Sequence, residues 1–121
     1  IMNKESIQQI IDGSDKLQIL NKQKLRAIER FESNTTLGYN SGLFSVSTHL
    51  LTYVNYLLHC KRTHDVVVLD TNNLPVLIED VTDFNKHIQD AYYTALDIYH
   101  NDISELNRLQ TDAARFINLE S

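Results

Sequence analysis

His59, Cys60 and His64 are the densest group of nucleophilic or metal-ligating side chains in this 121-residue sequence. If the helix that carries them runs far enough, Cys60 and His64 stand one turn apart. Three such side chains could hold zinc with a fourth ligand from elsewhere, or pair a thiol with a base. Both constellations are incomplete. Structural zinc sites pair their ligands in two knuckles, and this chain has one cysteine and no second Cys or His pair at a matching spacing. No glycine turn suited to stabilising an oxyanion accompanies the thiol. The expectation is therefore a buried Cys60 beside solvent-facing histidines, with His87 and His100 also at the surface.

The remaining acidic and glycine-containing segments lead to the same result. Asp12, Gly13, Ser14 and Asp15 suggest a calcium loop, but Lys16 occupies a ligand position and no Glu closes the loop. Helix capping already explains Glu79, Asp80 and Asp83. Gly38 and Gly42 lack the spacing of a phosphate-binding fingerprint. The chain is read as a non-enzyme with no cofactor and no metal.

Composition sets the frame in which these residues must sit. At 14.0 kDa, with 42% apolar and 22% charged residues, the chain is long enough for one buried core and reads as a single domain over residues 2–121. Three Gly and one Pro leave few breaks in regular structure. Met2 reads as the start, with Ile1 an addition ahead of it. No leading apolar segment follows a basic start, so no signal peptide is expected. A lone cysteine fits a reducing compartment, so the expected location is the cytoplasm, of a host cell if the chain is phage-encoded.

Charge is unevenly distributed. Residues 1–32 carry +1, residues 33–64 carry +2, and residues 65–121 carry −8, for a net charge of −5. Phosphate backbones are bound by clustered Lys and Arg, so nucleic acid is not an expected partner. The uncharged stretch 33–60 contains Asn34, Asn40, His49, Asn55 and His59, leaving no 20-residue apolar span, so no membrane role is expected.

Periodicity places the elements. Ile7, Ile10, Ile11, Leu17, Leu20, Ile28 and Phe31 mark a helical stripe over about 4–32, with a break or kink near Gly13. Residues 33–47 lack a sustained period and read as a long ordered loop, anchored by Tyr39, Leu43, Phe44 and Val46. A central helix over about 48–62 follows, capped by Ser47 or Thr48. Residues 65–79 read as one β-hairpin that must pack on the helices or be extended by strands from another subunit. Asp80 or Thr82 caps a last helix over about 82–118, roughly 55 Å long at the α-helical rise.

On that helix Phe84, Ile88, Ala91 and Ala95 form a core stripe, and Tyr92, Leu96, Tyr99, Ile103 and Leu106 follow heptad steps. One face can pack at home, so the heptad stripe is the expected self-association surface. The class is mainly α (α+β): a helical bundle of three to four helices with one β-hairpin and a long C-terminal helix.

The order Gly42-Leu43-Phe44, Val67-Val68-Leu69-Asp70, Asn73-x-Pro75, Ile78-Glu79-Asp80, Phe84 and Ala95-Leu96-Asp97-Ile98-Tyr99 resembles small uncharacterised proteins of T4-like tailed bacteriophages. The resemblance covers about residues 38–108. Its motifs are structural and carry over no active-site residues, and the turn Thr71-Asn72-Asn73 departs from the pattern in lacking a Gly. The resemblance implies a virion-assembly, scaffold or host-takeover role.

Three functional readings follow. The first is an oligomeric structural or assembly protein acting through helix-mediated contacts, with itself and with other phage or host proteins. The second is a small acidic inhibitor or regulator that presents Asp83, Asp90, Asp97, Asp102 and Glu105 to a basic host protein. The third is a metal-dependent enzyme at His59, Cys60 and His64.

Overall fold

The computed structural model describes the backbone of residues 4–119 and the side chains of residues 15–109, 111 and 112. Its order is α1 (Lys4–Asn34), β1 (Thr36–Tyr39), β2 (Gly42–Ser45), α2 (Thr48–His59), β3 (His64–Leu69), β4 (Pro75–Asp80) and α3 (Val81–Leu119). The class is mainly helical, with two hairpins and a long last helix. Two compact units divide it: Ile1–Arg30 with Ile98–Ser121, and Phe31–Asp97.

Helix α1 runs without interruption through Gly13, where a break was expected. A glycine inside a helix costs about 1 kcal/mol against alanine, a penalty that a 31-residue helix with an apolar face can absorb. Along α1 the buried line passes through Leu20 and Ala27 and continues to half-buried Phe31, at steps of 7 and 4, while Ile28 is exposed. The expected residues Ile7, Ile10 and Ile11 have side chains outside the described residues. Thr35 and Thr36 close the helix, their hydroxyls donating to the carbonyls of Phe31 and Glu32.

The segment expected to be a loop, residues 33–47, is instead a β-hairpin. Strands β1 and β2 pair antiparallel with Tyr39 opposite Gly42, leaving Asn40 and Ser41 as a two-residue turn. Both have positive φ, 47° and 68°, as a type I′ turn requires. Asn tolerates that conformation because its short polar side chain can bond locally, and here Asn40 Nδ2 donates to the Leu77 carbonyl at 3.0 Å.

Ser47 caps α2, its Oγ accepting from the Leu50 amide at 3.3 Å. The helix stops at His59, short of the expected residue 62. Lys61 takes φ 62°, the Arg62 amide donates back to the Leu57 carbonyl and the Lys61 amide to the Leu58 carbonyl. These bonds make a Schellman turn.

The second hairpin matches expectation, with Val66 across from Ile78, Val67 from Leu77, Val68 from Val76 and Leu69 from Pro75. Its turn follows the three-residue pattern: the Asn73 amide donates to the Asp70 carbonyl, the Asp70 amide donates to the Leu74 carbonyl, and Asn73 supplies the positive φ, 60°, usually given to Gly. The core of this unit gathers Phe44, Val46, Val54, Leu57, Val66, Val68, Val76, Ile78, Val81, Phe84 and Ile88. Thus Phe84 and Ile88, with buried Ala95 and half-buried Ala91, form the inward stripe of α3 read from the sequence.

Candidate functional site

One polar constellation links the first hairpin to the start of α3. Asp80 Oδ1 accepts the Asp83 amide at 3.2 Å, fixing the first turn of the helix. That places Asp83 Oδ2 2.8 Å from the Tyr39 hydroxyl, which donates to it. Four residues on, His87 Nδ1 donates to the Asp83 carbonyl at 2.8 Å and lies 3.5 Å from its carboxylate. The Tyr39 ring packs tilted on Phe84 at 4.9 Å and edge-on to His87 at 5.3 Å.

Burial of the phenol, the bond to Asp83 and the charges of Asp83, Asp80 and Glu79 push Tyr39 up to about 12. At neutral pH it is therefore a held hydrogen-bond donor and cannot act as a base. Its chemistry is that of a tie between strand and helix.

Asp70 is the second polar centre, 8% exposed at the hairpin turn. Its Oδ1 accepts the amides of Leu74 at 3.0 Å and Asn72 at 2.9 Å, and its Oδ2 accepts the Leu43 amide at 3.3 Å. The Leu74 amide does most to hold this carboxyl below the usual range, and partial burial opposes it. The Thr71 amide donates to the Leu43 carbonyl and the Ser45 and Thr71 hydroxyls meet at 3.0 Å, so the turn of one hairpin is bonded to a strand of the other.

The proposed metal group does not assemble. Because the Schellman turn ends α2, Cys60 and His64 are not a helical pair. Cys60 is exposed where burial was expected, and it is hydrogen-bonded to Tyr56, whose phenol that bond pushes upward. His64 Nδ1 lies 2.8 Å from the Thr63 hydroxyl. Among the described residues no three His, Cys, Asp or Glu side chains converge on a common point.

Of the expected self-association stripe, Tyr92, Tyr99, Ile103 and Leu106 are half-buried within the chain, and Leu96 is exposed. Tyr92 meets Phe31 edge-to-face at 6.2 Å. Of the acidic set, Asp83 is engaged by Tyr39, Asp102 pairs with Arg30 at 3.3 Å, and Glu105 pairs with Arg108. The Arg108 guanidinium holds Glu105 below its ordinary range. Asp90 and Asp97 are exposed.

Within the helical unit a cleft of about 360 Å³ lies between α1 and α3, lined by Arg26, Ala27 and Arg30 on one side and Asn101, Asp102 and Leu106 on the other. The Arg30–Asp102 pair already satisfies part of its charge.

The surface that stands out was not singled out in the sequence. On the second hairpin Val66, Val68, Val76 and Ile78 point into the core, and their alternates point away. Val67 is 57% exposed, Leu69 59% and Leu77 47%, and Leu74 in the turn is 59% exposed. The signal was available, because Val66-Val67-Val68-Leu69 and Val76-Leu77-Ile78 are continuous apolar runs. Strands with one wet face alternate, whereas strands covered on both faces do not.

No family model, curated protein or solved structure matches this chain. Among the described residues no helix is long and apolar enough to cross a membrane.

Proposed function

We propose that this chain is a non-enzymatic structural or assembly protein that self-associates and acts through protein contacts. One observation carries the reading: the second hairpin is apolar on both faces, and only one face meets the core, leaving Val67, Leu69 and Leu77 in water. Contiguous exposed apolar side chains of this kind mark interaction surfaces. Exposed Ile19 and Leu25 on α1 support the companion view that the helices belong to a bundle of three to four helices. A virion-assembly, scaffold or host-takeover role in a phage-infected cell suits such a protein, and the likeness to small tailed-phage proteins supports it. Working partners are then copies of itself and other phage or host proteins.

Sedimentation or light scattering of the purified chain tests the reading. A particle heavier than 14.0 kDa is expected, falling to that mass when Val67→Asp and Leu77→Asp are combined. A single-chain mass for the unaltered protein across the micromolar range would refute it.

A further inference from the structure

We infer that two copies of this chain join edge to edge through β3, extending the two-stranded sheet to four antiparallel strands about a twofold axis; this rests on the self-association proposed above. The hydrogen-bond phase of the hairpin sets the geometry. The Asp70 amide bonds to the Leu74 carbonyl, so in the β3–β4 register the residues that bond to β4 are Asp70, Val68 and Val66. The amides and carbonyls of Val67 and Leu69 consequently point to the opposite edge. Among the described residues no strand, turn or side chain bonds to them.

The other edge of the hairpin is already engaged, with the Leu77 carbonyl accepting from Asn40 Nδ2 at 3.0 Å. The β3 edge carries none of the Lys or Pro residues that natural sheets use to block pairing. Its only irregularity is Asp65, at φ 55°, which bends the strand before the pairing segment begins.

A second copy fits this edge about an axis at Val68. Centring the twofold axis on Val68 sets Val67 of each copy across from Leu69 of the other, and the four outward amides and carbonyls of those two pairs satisfy one another. In that register Asp65 faces Thr71 and Asp70 faces Val66 across the axis, so no like charges are opposed. The exposed face made by Val67, Leu69 and Leu77 then doubles into one continuous apolar surface. The partner is thus a second copy of this chain, and the new edge of the paired sheet is the engaged one.

Amide hydrogen exchange of the intact protein, measured by NMR over a range of concentrations, tests this directly. The Val66 and Val68 amides bond to β4 and stay protected throughout. Those of Val67 and Leu69 are expected to exchange fast when dilute and to slow by more than about 100-fold as the dimer forms. Cross-linking in a Cys60→Ser background gives a second readout. Facing residues of such a pair have Cα atoms about 5.5 Å apart, within disulfide reach, whereas each residue and its own symmetry mate are about 8 Å apart. A mixture of Val67→Cys and Leu69→Cys proteins is expected to give a disulfide-linked heterodimer, and either protein alone to stay uncrosslinked. An oligomer whose Val67 and Leu69 amides stay unprotected overturns the β3 pairing and leaves self-association standing. A chain that remains a single copy at every concentration overturns both.

Discussion

Tyr39 is the residue in which sequence and environment diverge most. In the sequence it looked like an apolar anchor of a loop; in the fold it is a strand residue whose phenol is tied to Asp83. A phenol pushed up to about 12 binds its proton more tightly in the folded chain than in the unfolded one, whose tyrosines titrate near 10. The tie therefore contributes fully below pH about 10 and is lost as pH rises toward 12. Solvent screening at this partly open site limits the contribution to about 1 kcal/mol. In an ultraviolet titration a step about two units above the free-tyrosine value is expected from Tyr39, and Tyr39→Phe should remove it. Nothing in the sequence announced this pairing, because residues 39 and 83 meet only once the first hairpin exists.

At the level of elements, the helices were legible and the first hairpin was not. Helical periodicity located α1, α2 and α3 because long apolar stripes repeat over many turns. Strands β1 and β2 have four residues each, too few for alternation to register, and their turn is Asn40-Ser41 where Asn-Gly is the stronger signal. The end of α2 was overrun for a related reason: Lys61 takes the left-handed conformation that Gly usually signals.

Asp70 couples the two hairpins, and its carboxylate is more acidic folded than unfolded. Stability that depends on it is present above pH about 4 and is lost as pH falls through the lower folded value. Asp70→Asn is expected to lower the thermal midpoint at pH 7 and to flatten its decline toward pH 2. Melting curves across that range check both effects.

On the scale of the whole chain, charge and greasy surface were visible in the sequence, but their allocation was not. The heptad stripe was read as free surface, yet four of its five residues are half-covered at home. Ile103→Asp is therefore expected to cost about 1 to 3 kcal/mol of unfolding free energy in urea titrations, beyond any effect on assembly. Three of the five acids offered to a basic partner are likewise held by Tyr39, Arg30 and Arg108. The surface left bare lies on the second hairpin, whose unbroken apolar runs pointed to a sheet covered on both sides.

The division into two units also has a temporal side. Phe31–Asp97 is one uninterrupted stretch, while the other unit joins the part of α1 before Phe31 to the part of α3 beyond Asp97. A ribosome working from the N-terminus delivers everything the middle unit needs before the closing helix of the other has been made. The first helix must therefore wait, unpaired, until the part of α3 beyond Asp97 has been made, and a product cut short at Asp97 would retain the hairpins while leaving that helix without its match.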